Sequence, residues 1–407
     1  MSHLLEINDW RLSCYTPQGQ CIYQQAAAAL AQNDQLIFGD AALAQGRDQP
    51  QTFNVQYLSR LSAEALPRPM GSAQNQADLI YYHLRSIKSE CALSDVVVSA
   101  PAQHSDEQLG LLLGIADEAG LSIQGFVDSA LGHALHTQID THHVFDIGLN
   151  HTSLNELHVE QGQLRIGGNS VFEGNGVLGI VDAWLHVIAS AFLQSSRFDP
   201  LHSAATEQQA FDQALSWITQ GLPDDPQVSI DVDGHPRTAD IPRVALMSAL
   251  RQRLSVADLT NVTTLGLTQR ISSIPGVCEL LGETFEHIEI SKTQLEELLA
   301  LNETRDGNGP TRIVQRPHAA SPNLTPHIAA KTRPETETNS PATHLLADHQ
   351  AIALTAETIR AHFDEDGLLR PGTEVLVNGA SPTSARLRCG DQVQLPDGAW
   401  VAIQVDS

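Results

Sequence analysis

The sequence predicts an α/β protein with mixed sheets, joined through a proline-rich linker to a small β-rich tail. Three observations predict it. Over residues 1–304, short apolar strand patterns alternate with helical ones, as in helices packed on sheets. Residues 305–343 hold six of the 20 prolines and almost no apolar periodicity, so they read as a linker. Residues 344–407 regain short strands, broken by turns at "NGAS", "CGD" and "PDG".

The elements follow in order. "HLLEIND" and "WRLSCYT" are expected as strands, with "PQGQ" as the turn into "CIYQQ". "NQADLIYYHLRSIKSE" sets Leu79, Ile80, Leu84 and Ile87 on one helical face. The continuous apolar run of "DVVVSAP" suits a strand covered on both faces. "DEQLGLLLGIADEAG" opens with acids and closes on glycine, the polarity a helix dipole favours. Strand "SIQGFVD", helix "SALGHALHTQ", strand "HVFDIG" and hairpin "TSLNELHVEQGQLRIGG" come next. The long helix "VLGIVDAWLHVIASAFLQ" offers Trp184, Leu185, Ile188 and Phe192 for packing. Helix "TEQQAFDQALSWITQGL", strand "QVSIDVDG", helix "IPRVALMSALRQRL", strand "NVTTLGL" and helix "IPGVCELLG" complete the region.

Composition narrows the function. The chain has 407 residues, 42% of them apolar, which is enough for a sizeable core. Its net charge of -25 repels nucleic acid and anionic lipid, so neither is expected as a partner. Phosphates remain possible ligands, because backbone amides and magnesium hold them on acidic proteins. The five cysteines are scattered without a C-x-x-C pair, which suits reduced thiols. The start lacks the basic-then-apolar run of a signal peptide, and no stretch reads as a membrane span, so a cytoplasmic location is expected.

Two local patterns invite other readings. "GNGVLG" at 174–179 fits G-x-G-x-x-G, but residues 180–194 read as one helix and leave no strand-borne acid at the ribose distance. The amides at this helix N-terminus form an anion-binding feature, with a close-packed, ligand-free turn as the alternative. His133, His136, His142 and His143 include an i, i+3 pair, yet no third metal ligand is fixed.

The run "VVVSAPAQHSDEQLGLLLGIADEAGLSIQGFVDSALGHAL" resembles the strand–helix–strand–helix block of DnaK-type heat-shock chaperones. Pro101, Asp106, Gln108, Ala119, Gly120, Leu121 and Asp128 stand at matching places. "LIFGDAALAQGRDQPQTFNVQYLSRL" is similar to a family segment upstream. Downstream, "HVFDIGLNHTSLNELHV" and "TTLGLTQRISSIPGVCELLG" are similar to the second phosphate strand and the adenosine strand. The resemblance spans about residues 1–290. It implies a two-lobed actin-like (ribonuclease-H-like) ATPase fold closing over ATP or ADP with magnesium, the lobes being about 1–165 and 166–304.

On that resemblance, Asp146 and Asp128 are the expected catalytic carboxylates, and Asp146 the expected magnesium ligand. Gly148, Thr152, Gly174, Gly176, Gly266 and Arg270 are the expected nucleotide contacts. Several family positions are altered. Asn8 replaces an acid, and Trp10 replaces a glycine where backbone meets phosphate. Asp9, one step along, is expected to face the opposite side. Leu149 and Asn150 replace glycines of the second turn, and Leu267 replaces a third. Asp212 and Leu215 fall where an acid and a lysine flank adenine, and Ser59 where a catalytic lysine stands.

The expected function is therefore a DnaK-like, chaperone-related protein with a degenerate nucleotide site, working mainly through contacts with other proteins. The alternatives are an active ATPase with a rewired site and an actin-like cytoskeletal or pilus-assembly scaffold. The tail's "L-x-C-G-D-x-V-x-L" is similar to the last strands of forkhead-associated domains, and the tail is expected to be a β interaction module.

Overall fold

An antiparallel meander opens the chain: β1 (His3–Ile7), β2 (Leu12–Tyr15) and β3 (Cys21–Gln25). β4 (Ala29–Gln32) and β5 (Gln35–Phe38) form a small sheet with β6 (Phe53–Asn54), which follows the short α1 (Asp40–Leu43). β7 (Ala65–Met70) and β8 (Ala73–Asn75) make a hairpin leading into α2 (Gln76–Cys91). Asn75 caps α2 by accepting the amide of Asp78 at 2.8 Å, and left-handed Ala92 ends it. Leu79, Ile80, Leu84 and Ile87 are buried, as their spacing requires. β9 (Asp95–Ala100), α3 (Asp106–Glu118) and β10 (Ser122–Asp128) follow. Ser105 and Gln108 close a capping box at the start of α3.

A second meander comprises β11 (Thr141–Ile147), β12 (His151–Glu160) and β13 (Gln163–Glu173). Then come α4 (Val177–Ser196), α5 (Ala204–Gln220), the hairpin β14 (Gln227–Val232) and β15 (His235–Asp240), and α6 (Arg243–Leu254). β16 (Thr264–Thr268), α7 (Gln269–Ser272), α8 (Val277–Gly282) and β17 (His287–Ser291) follow. In this computed structural model the described residues of the first unit are 2–132, 141–254, 262, 264–285, 287–291, 298–299 and 312–317. In the tail they are 343–347, 350–354, 356, 359, 362–364, 368, 370, 375–377, 387, 392–395 and 398–403.

The two large sheets share one plan. In the first, β9 runs parallel to β1 and β10 parallel to β9, giving the order β3-β2-β1-β9-β10. In the second, β16 runs parallel to β11 and β17 parallel to β16, giving β13-β12-β11-β16-β17. Each is a three-strand antiparallel meander whose first strand then acquires two parallel neighbours. The chain is thus mixed α/β with mixed sheets. Each sheet has its own core. Leu5, Ile7, Val96 and Val98 pack with α2 and α3 on the first, and Phe145, Trp184, Phe192 and Trp217 fill the second. Trp184 Nε1 donates to Leu246 O at 3.0 Å and ties α4 to α6.

Three sequence expectations change. "SALGHALHTQ" forms a single 3-10 turn over Ser129–Gly132, and its remainder lies outside the described residues. The segment read as linker contains β18 (Arg312–Ile313), parallel to β10, and β19 (Gln315–Pro317), antiparallel to β13. Strands of two and three residues are too short to show an alternation. Finally, α4 is long and apolar enough to cross a membrane by length and composition, although no such stretch was expected. Its inner face is core.

The chain divides into two compact units, Met1–Ala330 and Lys331–Ser407, at a point inside the proline-rich segment. In the second unit, β20 (His344–Ala347), β21 (Gln350–Ala353), β22 (Leu376–Val377), β23 (Gln392–Leu395) and β24 (Gly398–Ile403) form an antiparallel sheet in the order β21-β20-β24-β23-β22. Leu345, Leu354, Phe363 and Val393 make its core.

Candidate functional site

The turns that follow β1 and β11, the first strands of the two large sheets, meet and hold each other. Asn8 Oδ1 accepts the amides of Trp10 (2.9 Å) and Arg11 (3.2 Å), shaping the first turn. Its Nδ2 donates across to Ile147 O at 3.1 Å. Asp9 Oδ1 accepts the amide of Leu149 at 2.7 Å, and Oδ2 accepts Asn150 Nδ2 at 3.1 Å. Asp9 was expected to face the side opposite Asn8. β1 ends at Ile7, so strand alternation no longer governs Asp9, and its carboxylate is free to turn inward.

Between these turns lies a buried ion cluster. β11 delivers Asp146, β1 delivers Glu6, and β16 with the start of α7 delivers Thr268 and Arg270. Arg270 Nη1 donates to Glu6 Oε1 at 2.7 Å. Its Nη2 and Nε donate to Asp146 Oδ2 (2.8 Å) and Oδ1 (3.2 Å), a bidentate pair. Thr268 Oγ1 donates to Asp146 Oδ1 at 2.5 Å. The side chains of Arg270, Asp146 and Glu6 are only 14, 11 and 3% exposed, which makes this a desolvated triad. Burial opposes the guanidinium's charge, but Asp146 and Glu6 outweigh it and hold the proton more firmly than on an ordinary arginine. The cluster borders a cleft of about 490 Å³ that also meets Trp10, Arg11 and Ile274.

The glycines serve backbone packing. Gly148 N donates to His151 O, and Gly174 N donates to Asn150 O. At the N-terminus of α4, the amides of Val177 and Leu178 donate to Gly148 O and Leu149 O, each at 3.0 Å. The helix end proposed for anions thus points its first amides at the second turn. A β-carbon on Gly176 would stand 2.5 Å from Leu149 O, so glycine there lets the helix sit on the turn. One on Gly266 would stand 3.3 Å from His143 O, in the pairing of β16 with β11. Thr152 is buried in β12, opposite Ile147 and Phe172.

Asp128 stands apart from Asp146 in its partners. At the end of β10, its Oδ1 accepts Ala130 N at 3.0 Å, and its Oδ2 accepts Arg312 Nη2 at 3.3 Å. Burial raises its pKa to about 6, against the opposing pull of the Ala130 amide and Arg312. Arg312 also donates to Ala102 O, His104 O and Asp106 Oδ1. Each of the two acids therefore has its own arginine. Among the described residues, no three His, Cys, Asp or Glu side chains are placed to hold a metal ion.

The altered positions are filled in keeping with their chemistry. Trp10 is buried, with the Arg11 guanidinium 3.8 Å from its ring centroid. Leu149 and Leu267 lie in the second core, and Leu215 packs on it. Asp212 accepts Gln208 Nε2 at 2.8 Å, its pKa raised by burial, and Ser59 Oγ donates to Gln56 O. His133 and His136 lie outside the described residues, while His142 and His143 sit on β11. The sequence reading missed Glu6 and Arg312. An acid inside the apolar strand "HLLEI" was the available signal for Glu6, since a buried carboxylate calls for a cation. Arg312 carried no such signal. No protein-family model matches the chain, and no curated protein matches its sequence.

Proposed function

We propose that residues 1–330 form a DnaK-related, two-lobed actin-like domain whose nucleotide cleft is closed by its own arginine, and that the protein acts through protein contacts rather than ATP hydrolysis. The shared plan of the two large sheets supports the fold, since two copies of one topology facing each other across their first turns make a two-lobed architecture. The order of motifs from "VVVSAP" to "TTLGLTQR" supports the kinship.

The observation that carries the functional reading is Arg270 lodged between Asp146 and Glu6. A magnesium-bound triphosphate needs a carboxylate for the metal shell and open amides for phosphate oxygens. Asp146 already spends both oxygens on Arg270 and Thr268. The amides of Gly148, Leu149, Gly174, Val177 and Leu178 already have protein acceptors. These residues do not fit a magnesium nucleotide. Binding one would require breaking a buried pair, which costs about 3–5 kcal/mol when one partner is removed.

Titration of the full chain with a fluorescent ATP analogue and magnesium tests this. No saturation is expected up to about 1 mM, the affinity left by only about 4 kcal/mol of binding. Saturation below about 10 μM together with phosphate release would overturn it in favour of an ATPase.

A further inference from the structure

α4 carries an apolar stretch of 18 residues, 44% of which is buried. Ile180, Val181, Trp184, Ile188 and Phe192 fill the second core. Half-buried Ala183, Val187 and Ala191, the last two also packed on that core, run beside Ala245, Ser248 and Ala249 of α6, and with Asn175, Gln194 and Gln252 these stripes wall a groove of about 650 Å³. The α4 positions recur every four residues, so they form one continuous wall about 12 Å long. Walls of methyl and hydroxymethyl groups leave room for larger side chains from outside. A flat bilayer would meet the crests of the helices and leave the groove empty, whereas a helix would fill it.

The charge around the groove is one-sided. Among the described residues, His186 and Arg253 are the ionisable groups that line it and no acid does, in a chain of net charge -25. α6 carries three arginines and no acid. Arg251 is neutralised by Glu283 at 2.8 Å, and Arg243 donates to Leu222 O and Pro223 O. Asp182, the acid of α4, is taken by Arg47. Arg253 has a 3.5 Å contact to Gly174 O as its hydrogen bond. A carboxylate supplied from outside would complete it.

We propose that the α4–α6 groove docks one amphipathic helix of a partner protein, with large aliphatic side chains toward the groove and a carboxylate beside Arg253. This extends the reading that the protein acts through protein contacts. The groove shares no residue with the Arg270 cluster, so nucleotide titration and helix binding succeed or fail separately.

The test uses the full chain and a fluorescein-labelled peptide of about three helical turns, with leucines at i, i+3, i+4 and i+7 and glutamates on the flank. Anisotropy is expected to show saturable binding. Arg253→Glu, or lysines in place of the peptide's glutamates, should weaken it about tenfold or more, the scale of a lost interface contact. Ser248→Trp should abolish binding by filling the groove, and Ser190→Phe serves the same purpose if the first variant melts early. Val244→Ser, at an 83% exposed position off the groove wall, should leave binding unchanged. Absence of saturation up to about 1 mM overturns the proposal, including the case where the chain's own residues fill the groove. Binding that survives both Arg253→Glu and a groove-filling substitution overturns it as well.

Discussion

A β-carbon on Gly148 would stand 2.2 Å from Asp9 Oδ1, so the Asp9 carboxylate occupies the space a side chain at 148 would need. Glycine at this place admits a protein carboxylate from the opposite turn, which accepts the Leu149 amide at 2.7 Å. Gly148→Ala is therefore expected to push Asp9 off that amide and destabilise the first unit by about 1–3 kcal/mol, the cost of a buried polar group left unpaired. Gly110 in α3 meets nothing within 4 Å. Gly110→Ala should instead stabilise by about 0.5–1 kcal/mol, because glycine is costly inside a helix. Urea unfolding of both variants checks the contrast.

The Arg270 cluster makes a second prediction. Arg270→Ala leaves Asp146 and Glu6 buried without their cation and should cost about 3–5 kcal/mol. Adding Asp146→Ala should recover part of that loss, because the double variant removes one of the stranded charges. A double-mutant cycle measured by denaturation should give a coupling energy well above about 0.5 kcal/mol, the scatter of independent sites. Simple additivity would show that the cluster does not act as a unit.

His83 gives a pH prediction. Its ring is buried between Tyr57 Oη (2.7 Å) and Tyr23 Oη (2.9 Å), with Phe38 stacked at 4.6 Å. Burial lowers its pKa to about 3. The unfolded chain, with an ordinary histidine near about 6.5, binds the proton first as pH falls. Stability should therefore drop by about 1.4 kcal/mol per pH unit below about 6.5, until the folded pKa is reached. His83→Phe should lose this slope, whatever its stability at neutral pH. Denaturation curves at several pH values between 4 and 7 read it directly.

Asp128 should show the opposite sign. Its folded pKa, raised to about 6, lies above the ordinary carboxylate value, so the native state binds the proton more tightly than the unfolded chain. Its contribution to stability is therefore greatest in acid and falls as pH rises from about 4 to 6. Asp128→Asn, which cannot ionise, should gain on the parent by about 2–3 kcal/mol across that window. A flat difference between variant and parent would show that the Arg312 contact fully offsets burial.

The sequence by itself determined the local elements of this protein. Helical spacing exposed the inner faces of α2 and α4, short strand patterns with their turns exposed the meanders, and opening acids with a closing glycine announced α3. These signals are legible because helix-end charges and periodicities act between residues a few positions apart. Asp146, Gly148 and Arg270 were singled out from motif order alone. What each of them holds was decided by tertiary structure. Arg270 meets Glu6 across 264 residues, Asp9 meets Leu149 across 140, and Arg312 meets Asp128 across 184. A charged group buried against one sheet takes whichever partner the other sheet or the strands at 312–317 bring within about 3 Å. No local pattern encodes that choice, because the distance is closed only when both sheets are packed.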